Sequence, residues 1–121
     1  MLSAAAGAEN AAERFRLAYL AALRGAGAMV AAAELRAPQR TARRPVTRNA
    51  WVLMVRADDT FAGWADFFAD RSATRASIEA GVVRGVGDDD AGSFYDEVGR
   101  FLHEVEAYLS GEDDREDQIG A

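Results

Sequence analysis

The chain has 121 residues, half of them hydrophobic, which is enough for one domain with its own core and excludes an intrinsically disordered protein. It contains no cysteine, which excludes disulfide frameworks, thiol nucleophiles and cysteine zinc sites. The net charge of −6 argues against broad nucleic-acid binding. The charge is unevenly distributed, however: residues 1–57 are basic, with nine arginines and three acidic residues, and residues 58–121 are acidic, with five arginines and seventeen acidic residues. Either the two halves pair within a bundle or between two copies, or the first half forms a local anion-binding patch.

The first predicted element is an alanine-rich helix over residues 9–35, preceded by small residues 1–8 that we expect to fray. Its apolar positions form one stripe, and three leucines widen the apolar surface beyond that stripe. The stripe comprises Phe15, Ala18, Tyr19, Ala22, Ala26, Met29, Val30 and Ala33, and the leucines are Leu17, Leu20 and Leu23. A helix so apolar should be central in the fold or should bury a second face against another protomer. Gly25 and Gly27 would allow another backbone to approach closely.

The segment from residue 36 to residue 48 is predicted to be an exposed loop, because Ala37-Pro38 ends the helix and no apolar period follows. Its five arginines could bind phosphates through charge-assisted hydrogen bonds, so they are the candidate RNA- or phosphate-binding residues. They are Arg36, Arg40, Arg43, Arg44 and Arg48. The simpler interpretation is a solvated loop, or one that pairs with the acidic half of the chain, because no aromatic residue interleaves the arginines to stack on bases.

The middle of the chain predicts a short helix over Ala50–Ala57 and an aromatic helix after it. Thr47 or Asn49 is suited to cap the short helix, and Asp58-Asp59-Thr60 is suited to end it and to cap the next one. The second helix could break near Asp70. It places four aromatic residues within eight positions, which is typical of a core helix. They are Phe61, Trp64, Phe67 and Phe68.

The last predicted helix is the most regular, with apolar residues at helical spacing over five turns and charges on the other side. Its apolar stripe comprises Ala91, Phe94, Tyr95, Val98, Phe101, Leu102, Val105, Tyr108 and Leu109. The aspartates Asp88-Asp89-Asp90 suit the start of this helix, by capping and by the helix dipole, better than they suit a cation site. Ser110-Gly111 predicts its end, and residues 111–121 predict an acidic disordered tail.

The predicted architecture is an all-α, up-and-down bundle of four or five helices over residues 9–110, since no stretch shows the alternation of a β-strand. The N-terminus does not resemble a leader, and the longest uncharged internal run is too short to cross a bilayer. We therefore expect a cytoplasmic protein without a membrane segment. Because the one histidine lacks partner ligands, we expect no metal site and no cofactor.

Four parts of the chain stand out by their order and spacing. They are Arg16-Leu17-Ala18-Tyr19-Leu20-Ala21-Ala22-Leu23-Arg24, the arginine-rich loop before Ala50-Trp51-Val52-Leu53, Gly63-Trp64-Ala65-Asp66-Phe67-Phe68-Ala69, and Phe101-Leu102-His103-Glu104-Val105-Glu106. Together they resemble a small actinobacterial family of HEPN domains typified by a Streptomyces avermitilis protein, over residues 13–109. The resemblance implies a HEPN-type helical bundle, commonly dimeric, and a background of RNA- or nucleotide-related roles in toxin–antitoxin, defence or stress systems.

The resemblance also implies a catalytic signature that the sequence can be checked against. Many HEPN proteins are metal-independent ribonucleases that use an arginine, four to six intervening residues, and a histidine, and the two side chains meet across a dimer. The only histidine is His103, so the arginine would have to replace Asp96, Glu97 or Val98. The nearest arginine is Arg100, which shares a helix face with His103 at a spacing of i, i+3. This pair departs from the signature and is surrounded by carboxylates, so Arg100 and His103 are only weak catalytic candidates.

The sequence therefore predicts a small HEPN-like protein that acts through protein–protein interaction as a homodimer, without an assigned catalytic residue. His103 is interpreted as a surface or interface histidine, because one histidine with scattered carboxylates makes a poor catalytic set. The alternative is an RNA- or nucleotide-binding HEPN protein, including a divergent ribonuclease that uses Arg100, His103 and the arginines of the loop.

Overall fold

The computed structural model describes residues 10–36, 49–81 and 87–120, and all regular structure in these ranges is helical. The elements are α1 (Ala11–Arg36), α2 (Ala50–Ala57), a 3-10 turn (Asp59–Phe61), α3 (Ala62–Asp70), α4 (Ser72–Glu79) and α5 (Asp88–Gly120). Only Arg71 separates α3 from α4, so the described ranges hold five α-helices, or four if this interrupted pair is counted as one. The all-α prediction is confirmed, and so is the break near Asp70.

Three of the helical segments are capped at the N-terminus by a side-chain oxygen. The Asn10 Oδ1 atom accepts from the Glu13 amide at 2.7 Å, and the Asn49 Oδ1 atom accepts from the Trp51 amide at 2.9 Å. The Asp58 Oδ1 atom accepts from the Thr60 amide at 3.0 Å and so caps the 3-10 turn. Each of these bonds satisfies an amide that has no partner within its helix. Of the two predicted caps for α2, Asn49 is the one observed, and Thr47 lies outside the described residues.

The last helix begins as predicted but does not end as predicted. Asp88-Asp89-Asp90 form its first turn, where their negative charges complement the helix dipole. The helix then continues through Gly111 to Gly120, so the predicted stop at Ser110-Gly111 is wrong, and the segment predicted to be a disordered tail has a helical backbone up to Gly120. A glycine ends a helix by taking a positive φ, which Gly111 does not have. Gly81, with φ of 86°, makes that turn after α4.

Helix α1 is the centre of the fold, packed against α2, α4 and α5. The predicted stripe is its buried face, except that Val30 and Ala33 are only half-buried. Phe15 stacks on Phe94 with 4.1 Å between ring centroids, and farther along Gly25 faces Leu102, so α1 and α5 run parallel.

Helix α3 runs antiparallel to α5. At the start of α3, the Phe61 ring lies 6.2 Å from the Tyr108 ring, whereas near its end the Phe67 ring lies 6.0 Å from the Phe94 ring. The long segments therefore alternate in direction along the chain, with α1 and α5 pointing one way and the interrupted α3–α4 pair returning between them.

The two glycines of α1 have different surroundings. A Cβ atom at Gly25 would lie 2.7 Å from Leu102 Cδ2 and 3.3 Å from Phe101 Cε2, so this glycine lets α5 approach closely. A Cβ atom at Gly27 would have nothing within 4 Å, and Gly27 is exposed. Side chains of α5 therefore come close to Gly25 and not to Gly27, and the close approach of another backbone stays a prediction.

This difference gives a matched stability test. Both Gly25→Ala and Gly27→Ala gain about 0.5–1 kcal/mol of helix propensity. Only Gly25→Ala must displace the Leu102 and Phe101 side chains, so we expect it to be less stable than Gly27→Ala by about 1–2 kcal/mol. Urea denaturation of the two variants and the wild type measures the difference. Equal stability of the two alanine variants would show that α5 does not pack on Gly25.

A buried hydrogen-bond chain joins three helices at the centre of the core. The Trp51 Nε1 group of α2 donates to the Tyr19 hydroxyl of α1 at 3.1 Å, and that hydroxyl donates to the Phe68 carbonyl of α3 at 3.1 Å. All three residues are buried, so the bonds remove a desolvation cost that the indole N–H and the hydroxyl would otherwise carry.

Helix α1 is also long and apolar enough, by length and composition alone, to cross a membrane. In this fold, however, one face of the helix is buried in the core. Core helices of soluble proteins meet the same criterion, and the burial is consistent with a soluble protein.

Candidate functional site

The predicted pair Arg100 and His103 lies on the outer, exposed face of α5. The Arg100 guanidinium donates to the Glu97 carboxylate one turn earlier, with 2.8 Å between Nη1 and Oε1. Among the described residues, His103 makes no hydrogen bond and no ion pair. The neighbouring Glu104 side chain accepts from the Trp64 Nε1 group at 2.9 Å instead. The structure thus shows an arginine engaged by a carboxylate and a histidine without an orienting partner.

Arg36 is the one predicted phosphate-binding arginine that the structure describes. It is the last residue of α1 rather than part of a loop, and its guanidinium donates to the Tyr108 hydroxyl of α5. The guanidinium carbon also lies 5.5 Å from the centre of the Tyr108 ring, which is within the range of a cation–π contact. The other four arginines, Arg40, Arg43, Arg44 and Arg48, lie outside the described residues.

Arg36 and Tyr108 lie at the edge of a groove of about 620 Å³, which we name the α1–α5 groove. The end of α1, the segment around the 3-10 turn and the later part of α5 form its walls. The charged and aromatic residues of the lining are Arg36, Asp58, Asp59, Phe61, Glu104 and Tyr108. Two aromatic rings and two alanines contribute apolar surface, and the described lining has three carboxylates but one guanidinium, so this part of the groove is acidic.

The three carboxylates of the α1–α5 groove are held to different extents. Asp58 accepts from both the amide and the hydroxyl of Thr60, and Glu104 accepts from Trp64, so these two side chains have fixed orientations. Asp59 is exposed, and its carboxylate makes no hydrogen bond or ion pair with any other residue that the structure describes. Because an ionised carboxylate has about four acceptor positions, all three retain capacity for an external donor.

A smaller cavity of about 270 Å³ lies at the other end of the α1–α5 pair, between Phe15, Phe67, Arg71 and Glu97. Arg71 covers the Phe67 ring at 3.7 Å and donates to the Phe67 carbonyl at 2.9 Å. The basic side chain in this cavity is therefore used to close α3. In residues 10–36, 49–81 and 87–111, no three histidine, aspartate or glutamate side chains lie close enough to hold a metal ion.

A family model described as SAV_6107-like HEPN matches residues 5–106, which is most of the chain. The chain belongs to this HEPN family. The resemblance predicted from the sequence is thereby confirmed. No curated protein and no solved structure matches the chain.

The chain has no arginine at positions 96, 97 or 98, where the expected HEPN ribonuclease signature would place one. The carboxylates of Glu97, Glu104 and Glu106 lie on the same helix as His103 and would repel a phosphodiester. The geometry brings Arg100 and His103 onto one face, as predicted.

The α1–α5 groove was not found by sequence reasoning. Its lining comes from segments separated by tens of residues, and the sequence predicts only a helix-capping role for Asp58 and Asp59. The one available signal was Tyr108 at the end of the apolar stripe of α5, because its hydroxyl must reach a polar partner when the ring is half-buried.

Proposed function

We propose that this HEPN domain acts through protein–protein interaction and does not cleave RNA. The observation that carries the proposal is the ion pair between Arg100 and Glu97, since the arginine nearest to His103 is already neutralised on its own helix. An exposed ion pair of this kind contributes little to stability, but it means that a phosphate would have to compete with Glu97 for the guanidinium nearest to His103 among the described residues. We propose a cytoplasmic location for this function, with which a chain without cysteine is compatible.

An RNA-cleavage assay tests the catalytic part of the proposal. We expect the wild type, Arg100→Ala and His103→Ala to leave a labelled single-stranded RNA intact to the same extent as buffer does. Each variant changes an exposed side chain, so each should fold normally. Cleavage by the wild type that disappears in His103→Ala would overturn the proposal in favour of a divergent ribonuclease.

We further propose that the domain forms a homodimer through the outer face of α1. On that face Gly27, Ala28 and Ala31 are exposed small residues, and Leu35 exposes 84% of its surface. Small side chains let a second helix approach closely, and covering Leu35 would remove apolar surface from water. The same helix buries its other face in the core, which explains why it is apolar around so much of its circumference.

Sedimentation velocity at tens of micromolar protein tests the dimer. We expect the wild type to be dimeric and Ala31→Arg to be monomeric, because a charged side chain would be buried at the helix contact. Ala69→Arg on α3 is the matched control, since Ala69 is also exposed and carries no role in this interface. A strictly monomeric wild type would contradict the dimer, and a dimeric Ala31→Arg would contradict the choice of face.

RNA or nucleotide binding is the second candidate function, supported by the excess of arginine over acidic residues in the first half of the chain. It predicts RNA binding that weakens as salt is raised and is lost when Arg40, Arg43 and Arg44 are neutralised together. Fluorescence anisotropy with a labelled RNA measures this. Absence of binding at low salt would exclude the candidate.

A further inference from the structure

We propose that the α1–α5 groove binds a basic peptide segment of a partner protein and seats an arginine side chain of that segment against its carboxylates. This inference rests on the proposed function, because it gives the chemistry of a partner for a domain that acts by binding protein. It concerns a surface separate from the outer face of α1, since neither Gly27 nor Ala31 lines the groove.

The charge of the groove favours binding of a cationic side chain. Among the lining residues that the structure describes, three carboxylates, those of Asp58, Asp59 and Glu104, outnumber the one guanidinium, so this part of the lining carries an excess of negative charge. A phosphate or an RNA backbone would be repelled by these carboxylates, whereas an arginine would gain from each of them. Arginine is also better suited than lysine, because its planar guanidinium can bond a carboxylate with two parallel hydrogen bonds.

The shape of the groove fits a side chain on a peptide rather than an enclosed small molecule. Its volume of about 620 Å³ is within the usual range for ligand sites, but Asp59 and Glu104 are exposed, so the groove is open along one side. A peptide backbone could lie along that open side while one side chain enters.

The aromatic lining adds a second attraction for the same group. Phe61 and Tyr108 both line the groove, and their rings lie 6.2 Å apart in an edge-to-face arrangement. The Arg36 guanidinium already lies over the Tyr108 ring, which shows that a guanidinium fits against this ring within the fold. Cation–π contacts strengthen when the site is partly desolvated, as it would be under a bound peptide.

The acceptors are held in place before the partner arrives. Thr60 fixes the Asp58 carboxylate with bonds of 3.0 and 2.7 Å, and Trp64 fixes Glu104. Ordering these side chains therefore costs little on binding, which favours affinity. The Asp59 carboxylate makes no hydrogen bond to another described residue and is the acceptor that a partner's arginine would engage most directly.

Fluorescence anisotropy with the full chain tests the proposal. The probe is a labelled peptide of alternating arginine and alanine, and a peptide of alternating glutamate and alanine is the comparison. We expect the basic peptide to bind at low salt, with affinity that falls as salt is raised, and the acidic peptide not to bind. Binding of both peptides with similar affinity, or of neither at low salt, would overturn the proposal.

A pair of variants with matched charge changes locates the binding. Asp59→Asn combined with Glu104→Gln should weaken the basic peptide by about tenfold, because two exposed ion pairs are lost. Glutamine keeps an oxygen that can accept from Trp64, so the fold should be preserved, as an unchanged thermal midpoint would confirm. Asp66→Asn combined with Asp70→Asn, at two exposed positions of α3 outside the groove, removes the same number of charges and should bind like the wild type. Equal weakening in the groove variant and in this control would show that the peptide responds only to net charge.

Sedimentation of the same samples separates this inference from the proposed dimer. The groove variant should remain dimeric, because its substitutions lie away from the outer face of α1. A dimeric protein that binds no basic peptide would overturn the groove proposal alone, whereas a monomeric wild type that binds the peptide at the groove would remove only the dimer.

Discussion

Replacing Phe101 by alanine is expected to lower the free energy of unfolding by about 3–5 kcal/mol. The Phe101 side chain is fully buried, and its ring lies 4.9 Å from the Phe68 ring and 5.4 Å from the Trp64 ring. Its loss would leave a cavity at the point where α2, α3 and α5 meet. Urea denaturation followed by tryptophan fluorescence measures the change, because Trp51 and Trp64 are both close to the cavity.

Two further substitutions make this result interpretable. Phe101→Leu keeps most of the volume and should cost about 1–2 kcal/mol, so it gives a measurable value even if the alanine variant does not fold. His103→Ala changes the exposed position two residues later and should change stability by no more than about 0.5 kcal/mol. A Phe101→Ala variant as stable as His103→Ala would contradict the placement of α5 in the core.

Removing the Tyr19 hydroxyl in Tyr19→Phe should cost about 1–3 kcal/mol, the penalty for a buried group left without a partner. The loss of stability comes mainly from Trp51, because its Nε1 group would have no acceptor in the core. The Phe68 carbonyl is less affected, because the Arg71 amide also donates to it at 3.0 Å.

A double-mutant cycle separates the hydrogen bond from packing. In a Trp51→Phe background the indole donor is already gone, so Tyr19→Phe should be milder there, with a coupling energy of about 1 kcal/mol. Thermal or urea unfolding of the four proteins measures the coupling. The same cost in both backgrounds would mean that the Tyr19 hydroxyl does not serve Trp51.

Much of the fold could be predicted because it depends on local periodicity. The apolar stripe of α5 identifies Phe94, Val98 and Phe101 as core residues, since helical spacing alone places them on one face. Asn49 could be predicted as a cap from its position before an apolar run. These features need no knowledge of which helix packs against which.

Features that depend on the packing of distant segments could not be predicted. Gly25 and Gly27 are equivalent in the sequence, and only the approach of α5 makes one of them necessary. The hydroxyl of Tyr19 gives the same helical pattern as a phenylalanine ring would, so its bond with Trp51 depends on the placement of α2. The end of α5 was misplaced because Gly111 can remain in a helix, at a cost of about 1 kcal/mol relative to alanine.

Of the two candidate sites, one could be judged from local spacing in the sequence and the other depends on the packing of distant segments. The mismatch between Arg100 and His103 is a matter of spacing along one helix, and the sequence was sufficient to detect it. The α1–α5 groove combines Asp59 with Glu104 and Tyr108, and nothing in their local sequence indicates that they share a surface. Only the return of the chain through α3 and α4 brings them together.

The parallel arrangement of α1 and α5 has a consequence for synthesis of the protein. Arg36 and Tyr108 are in contact although 72 residues separate them. The stacking of Phe15 on Phe94 likewise cannot form until α5 has been synthesised. While the ribosome is still making α2, α3 and α4, the apolar face of α1 has no α5 to pack against. The aromatic cluster around Tyr19 therefore stays partly open to water and to other nascent chains until translation reaches the last helix. Folding to the complete core is then a late event that must close a long loop, slower than in a bundle whose neighbouring helices pair in order.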